Sequence, residues 1–420
     1  MFIIHSFESF EKAKFMRICG IISEYNPFHS GHAHHLKMTR ELSQCDYIVC
    51  LMSGSFTQRG EPAIFDKWTR AQAAVQSGAD LVIELPALFA LQSAEGFAKG
   101  GIRLLNALNI RDFSFGSEYT NLDVLNKIAH TLIKEPPRYR FKLKSNLNQG
   151  MSFPAARADA LSNYLIDATV SEIISGSNSI LGIEYLKANL SLKRNKLHPI
   201  IVKRIGSDYN EPTLSHSFSS ATAIRKSILL NGLTNDMHEN IPDASYALYR
   251  SIIDSDYIPV NMDLFFKEII YSINKYSVHD ITDLPDVSEG LENRIKKVAG
   301  SAKSYSELVQ LIKSKRYTQT RIQRILCCLL LGINKSHINY ANTHLPESVK
   351  ILAYKKNSNA LLSHLSTTAK IKLHHGSAGN DNDLFSQFDI RSTNIHTLAQ
   401  NADRFRVPGL DFTTKTKTDN

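Results

Sequence analysis

The sequence predicts an α/β protein, with a parallel sheet flanked by helices over residues 16–230 and a mainly helical domain over residues 231–420. Three observations carry this. Apolar runs of strand length alternate with helical stretches through the first half, their starts about 30 residues apart, the size of a βαβ unit. Beyond about residue 230 the period becomes helical, with few β-branched runs. A chain of 420 residues is also too long for one ordinary core.

Each element has its own signature. Residues 1–15 show no period and are expected to be a loose extension, from an upstream start codon; Glu8 and Glu11 and the lack of a basic start exclude a signal peptide. Strands are expected at Arg17 to Ser23, Asp46 to Met52, Asp80 to Leu85 and Asp112 to Phe115. Spacing of this kind argues for a parallel sheet covered on both faces. Between the second and third strands, a helix from Lys67 to Ser77 puts Ala71, Ala74 and Val75 on one face and stops at Gly78. A helix from Ser177 to about Leu190, with Ser177 as N-cap, precedes a strand in "HPIIVKRIG". In the second half "SEGLENRIKKVAG", "SYSELVQLIKSK" and "TQTRIQRILCCLLLGI" read as amphipathic helices. The last forty residues, mixed and polar, are assigned no element.

Composition narrows the function classes. Apolar content of 43% with 21% charged residues is that of a soluble globular protein, and a formal charge of +9 favours a polyanionic partner. The five cysteines form no CxxC pair and read as buried thiols in a reducing compartment, so a cytoplasmic location is expected. No apolar run approaches the roughly 20 residues a spanning helix needs.

Chemistry concentrates in "SEYNPFHSGHAHHL", Ser23 to Leu36, which follows the first strand and enters a helix at Gly31. Open α/β sheets bind ligands at such a strand end, and a helix N-terminus favours phosphate. His29 and His32, three residues apart at the helix entry, are placed to donate hydrogen bonds to charge growing on one phosphoryl group. Gly31 is expected to let backbone and nucleotide approach closely. Two other readings stay open, a transition-metal site and a solvated loop without a role; His34 and His35 read individually as packing or lining residues.

Here the residues resemble a family. "HSGH" is similar to the HxGH signature of the nucleotidyltransferase superfamily. "GIISEYNPFHSGH", "SGSFTQRGEPAIFDKWTRA", "GADLVIELP", "FGSE", "GMSFPAAR", "SNSILGIEYL", "VKRIGSDYN" and "SATAIR" follow one another in the order of the tRNA(Met) cytidine acetate ligase family. The resemblance implies a Rossmann-like nucleotidyltransferase domain followed by a tRNA-binding helical one. It also implies a reaction: acetate and ATP give acetyladenylate and pyrophosphate, and the acetyl group passes to N4 of wobble cytidine 34 of elongator tRNA(Met). ATP, accompanied by Mg2+, acetate and that tRNA are the expected ligands, with no tight metal site of the protein's own.

Carried over residue by residue, the resemblance puts ATP against Ile22, Ser23, Glu24, Tyr25, Asn26, Pro27, Phe28, His29, Ser30, Gly31, His32, Ala33, His34 and His35. Gly116, Asn178, Arg204 and Ile205 complete that pocket, and His29 and His32 are the implied catalytic pair. "SSATAIR" resembles the second signature of these transferases, which assigns Ser220, Thr222 and Arg225 to the leaving phosphates; a plain N-cap with a solvated arginine is the other reading. Lys67 and Arg70 are placed near phosphate or the acyl group, and Gln58 and Arg59 near acetate; for Asp66, Lys67 and Arg70 a helix cap with two surface cations is the other reading. Two cationic segments suit RNA: Arg138 to Lys144, and Lys313 to Arg324 with Lys315, Arg316, Arg321 and Arg324. The competing functions are a small-molecule adenylyltransferase or ligase of the pantothenate synthetase type and a noncatalytic RNA-binding protein.

Overall fold

A computed structural model describes residues 16–205, 219–314, 317–376 and 383–419. The expectations for residues 1–15, Lys315 and Arg316 fall outside them.

The strands are β1 (Ile18–Ser23), β2 (Tyr47–Ser53), β3 (Leu81–Leu85), β4 (Asp112–Ser117), β5 (His198–Lys203), β6 (Ser348–Tyr354), β7 (Lys372–His375) and β8 (Lys417–Thr418). They form one sheet in the order β5-β4-β1-β2-β3-β6-β7, with β8 paired to β6. β1 to β5 are parallel, as the spacing predicts, and β6 runs antiparallel to β3. The apolar runs form strands because helices cover both faces: Ile48, Val49, Cys50 and Leu51 of β2 are completely buried. From β1 the chain first works outward through β2 and β3, then returns to place β4 on the other side of β1. Between the carboxyl ends of β1 and β4 this reversal opens a crevice.

Helices expected in the second half are present at Leu291–Ala299, Tyr305–Ile312 and Gln319–Leu331. The sequence reading assigned no strand there, whereas β6, β7 and β8 extend the sheet. "SVKILAY" forms β6 because the edge of β3 offers unpaired backbone groups and the apolar side chains of Val349, Ile351, Leu352 and Ala353 are buried there. Ser177 is not the cap of its helix. Gly176 takes the N-cap position, and the carboxylate of Glu118, just past β4, accepts hydrogen bonds from the amides of Asn178 (3.3 Å) and Ser179 (2.8 Å).

Lys67 is displaced from its expected role. Its ammonium group is fully buried beneath the sheet, bonded to both oxygens of Glu84 (2.7 and 2.8 Å) and to Asp411 Oδ1 (2.7 Å). Lys350 of β6 bonds the same Asp411 oxygen. Burial opposes ionisation of Asp411, but the Lys67 and Lys350 charges outweigh it and hold the carboxyl below its usual range. Lys67 is therefore an internal counter-ion and touches no phosphate site.

Replacing Lys67→Met is expected to lower stability by about 3–5 kcal/mol, because it leaves buried carboxylates without their cation. Urea denaturation followed by circular dichroism checks this, and an unchanged midpoint would refute it.

Candidate active site

The loop leaving β1 is shaped before any ligand is considered. Tyr25 holds a left-handed backbone (φ 45°), its ring packed edge-on against Phe28 (4.9 Å) and His32 (4.8 Å) and its hydroxyl against Cys50 Sγ (3.3 Å). Asn26 Oδ1 accepts the Ile64 amide at 2.8 Å. Arg70, fully buried, donates to the carbonyls of Phe65, Glu24, Ser53 and Gly54, so it ties the β1 and β2 loops together. The expectation that it meets phosphate is corrected: its donors face backbone oxygens.

The helix Ser30–Ser43 then begins with an unusual cap. His29 is the N-cap; the Gly31 amide donates to His29 Nδ1 (3.0 Å), and the His29 amide donates to His32 Nδ1 (3.3 Å). Two histidines thus perform the reciprocal exchange that Ser and Glu make in an ordinary capping box. With both Nδ1 atoms accepting, the hydrogen of each neutral ring sits on Nε2. The rings lie 3.8 Å apart, tilted by 32°. Gly31 also serves the cap: a Cβ there would stand 2.8 Å from His29 Cε1, so the missing side chain makes room for the histidine ring.

Burial, with the nearby charges of Arg204 and Arg225, lowers the pKa of His29 to about 3. Burial, with His29, Arg204 and His35, pushes His32 well below its ordinary value. His35, whose Nε2 lies 3.0 Å from Ser114 Oγ, is lowered to about 4 by burial, His34 and Arg204. All three are neutral at pH 7. With Nδ1 accepting an amide and the hydrogen on Nε2, the His29 and His32 rings in this arrangement offer a metal no lone pair, and among the described residues no three His, Cys, Asp or Glu groups are arranged to hold an ion.

One cavity at the β1/β4 crevice is lined by Ile22, Ser23, Glu24, Tyr25, Asn26, His29, Gly31, His32, His34, His35, Gly116, Asn178, Arg204 and Ile205, all named from the sequence. Pro27, Phe28, Ser30 and Ala33 of the same run do not line it; Phe28 is turned into the core, its amide bonded to Tyr249 Oη at 3.0 Å. Gly116 lies within β4 opposite Val202 and is no turn glycine. Among the described residues, none but its chain neighbours comes within 4 Å of where its Cβ would stand, so the space beside it is open. Asn178 is held by Glu118 Oε1 (2.6 Å).

Of the second signature, Arg225 alone of the three named residues reaches the cavity. Ser220 is buried as the N-cap of Ala221–Asn231, taking the Ala223 amide at 3.1 Å, and Thr222 Oγ1 supports the Arg225 guanidinium at 3.4 Å. Arg225 also donates to Asn26 O (2.8 Å) and pairs with Glu61 (3.2 Å), whose other oxygen takes a hydrogen bond from Gln323 (3.0 Å). Gln58 and Arg59 line the cavity from the loop after β2, and the Gln58 amide donates to Glu24 Oε1 at 2.6 Å. Burial raises the Glu24 pKa, partly offset by that amide.

The sequence reading missed the apolar wall: Ala94, Phe97, Phe115, Leu181 and Tyr185. Leu181 and Tyr185 share a helix face at i, i+4, a pattern any core helix shows, so nothing local marks them. The cavity therefore joins an apolar slot for a planar ring to neutral imidazole donors and the cations Arg204 and Arg225.

Away from the cavity, Arg321 donates to Asp286 O (3.0 and 2.6 Å) and Arg324 pairs with the Asp286 carboxylate (3.3 Å). Both arginines expected to face RNA are held by the neighbouring segment.

Residues 16–407 match the family model described as HIGH Nucleotidyl Transferase. The tRNA(Met) cytidine acetate ligase of Clostridium perfringens (strain ATCC 13124) is 39% identical over 392 residues, covering 91% of this chain and 95% of that protein. That of Acetivibrio thermocellus is 39% identical over 410 residues, 95% of this chain and 99% of its own. Two crystal structures of Thermotoga maritima TmcAL superpose at 30% identity, covering 96% of this chain and 99% of theirs: an apo form with a TM-score of 0.90, and one bound with alpha-thio ATP with 0.87.

Buried neutral histidines set a pH dependence. Between about pH 6.5 and 4 the unfolded chain binds protons that folded His29 and His35 refuse, so stability falls as pH falls through that window. Melting temperatures measured from pH 7.5 to 4.5 should decline accordingly, and His29→Gln should flatten the slope; a flat wild-type profile contradicts the burial of these rings.

Proposed function

The chain belongs to the tRNA(Met) cytidine acetate ligase family, and from that premise we propose that it activates acetate with ATP and acetylates N4 of wobble cytidine 34 in elongator tRNA(Met). An exocyclic amine conjugated to a pyrimidine is a poor nucleophile, so the acyl group needs a good leaving group. In the first step an acetate oxygen bonds to the α-phosphorus of ATP while the bond to the β-phosphate bridging oxygen breaks, giving acetyladenylate and pyrophosphate. In the second step the N4 lone pair attacks the acetyl carbon, the bond to the adenylate oxygen breaks, and N4 loses a proton as AMP leaves.

The observation that carries the reading is the reciprocal histidine cap. It leaves Nε2–H as the donor of each of two cavity-lining rings without requiring either ring to be charged. Donors held in place by backbone amides are suited to stabilise charge growing on the α-phosphoryl oxygens more than charge already present. Arg225, held by Asn26 and Glu61, is proposed to receive the leaving pyrophosphate, with Arg204 beside it. We assign the adenine to the slot between Phe97, Phe115 and Tyr185, and the ribose to the open space beside Gly116. Any Mg2+ is assigned to the phosphates of ATP itself. Five buried free thiols suit a reducing compartment, and we propose that the protein works in the cytoplasm.

Acetate should stimulate exchange of labelled pyrophosphate into ATP without tRNA, and His29→Ala should slow that exchange by about 10² to 10³, the effect of losing one transition-state donor. Exchange at the wild-type rate would remove His29 from the chemistry. Nucleosides from elongator tRNA(Met) treated with the protein, ATP and acetate should contain N4-acetylcytidine by mass spectrometry; unmodified cytidine 34 alongside active exchange would redirect the acyl acceptor.

A further inference from the structure

The helix Pro137–Asn148 presents a basic face on the surface of the molecule. From Pro136 to Gly150 the chain has no acidic residue, and it carries Arg138, Arg140, Lys142 and Lys144. Tyr139 and Asn146 form its inner face, where Asn146 Nδ2 bonds Ala156 O (3.1 Å) and Asp159 (2.8 Å) of the next helix, Phe153–Leu165. Lys142 pairs with that same Asp159 at 3.1 Å. Arg138, Arg140 and Lys144 point outward and, among the described residues, make no ion pair or side-chain hydrogen bond. Phe141 stands among them with 77% of its surface exposed.

We propose that this outer face is the docking surface for the anticodon arm of the tRNA, with Arg138, Arg140 and Lys144 on backbone phosphates and Phe141 stacked on an unpaired base. Complementary charge selects the occupant: phosphates need unpaired cations, which this helix has and the Asp286-bound Arg321 and Arg324 lack. Its position also fits. Tyr139 and Leu143 share a cleft with Glu184 and Lys187 of the helix Ser177–Leu190, whose first residues Ser177 and Asn178 line the candidate active site. The basic helix therefore borders the helix whose first residues line the cavity. The inference rests on the tRNA-acetylating reading above, and the test separates the two.

The variant Arg138→Ala/Arg140→Ala/Lys144→Ala should raise the KM for tRNA at least tenfold and flatten the dependence of log Kd on log salt by roughly 0.7–0.9 per lost phosphate contact. Acetate-dependent pyrophosphate exchange without tRNA should be unchanged, which also reports an intact fold. Phe141→Ala should weaken tRNA binding while leaving the salt slope as it is. Unchanged tRNA KM and salt slope in the triple variant overturn the proposal, as does loss of binding to vesicles containing phosphatidylserine with tRNA kinetics intact. If the wild-type protein exchanges pyrophosphate yet acetylates no tRNA, the reading of the acceptor fails instead.

Discussion

Two backbone amides at the start of one helix organise this molecule's chemistry. The Gly31 and His29 amides have no partner within the helix they begin, and each takes a histidine Nδ1 instead. That choice decides the tautomer of both rings, their tilt and the direction of both Nε2–H groups. It also explains why Gly31 is glycine, since a Cβ would collide with the His29 ring. The surroundings keep the pair uncharged: Tyr25 and Phe28 pack against the His32 ring, and Arg204 and Arg225 repel a proton from His29.

A second layer holds the first in place. Arg70 gathers the carbonyls of the β1 and β2 loops, Glu118 caps the helix that presents Asn178, and Glu61 bridges Arg225 to Gln323 of the helix Gln319–Leu331. Charges here brace the loops, caps and side chains that surround the cavity. Burial opposes ionisation of Glu118, but the bonds from Asn178 and Ser179 outweigh it and keep its pKa low, as befits a carboxylate doing a cap's work.

How much of this was legible in the sequence depends on the range of the interaction responsible. The starts of β1 to β4 fall within one residue of those expected, because a doubly covered strand writes itself as a continuous apolar run. The histidine stretch was equally plain, since its residues are neighbours and carry a superfamily signature. Lys67 and Arg70 misled, for a cation in a conserved-looking motif reads the same whether it faces a phosphate or a buried carboxylate 344 positions away. The cap on Ser177–Leu190 comes from Glu118, 60 residues earlier, which no local rule can find. β6 to β8 were hidden because β6 joins the sheet by pairing with β3 and β7 and β8 by pairing with β6, and short runs amid helices carry no signal of that edge.

The placement of β6 has a consequence for the order in which the molecule can be made. A ribosome that has finished β5 has produced every strand bordering the cavity, but the outer edge of β3 is still bare, and Lys350 and Asp411 have not yet been synthesised. An apolar edge strand without its neighbour is a template for association with other chains. The nascent first half thus exposes an edge that the last part of the chain covers when it folds back onto the sheet.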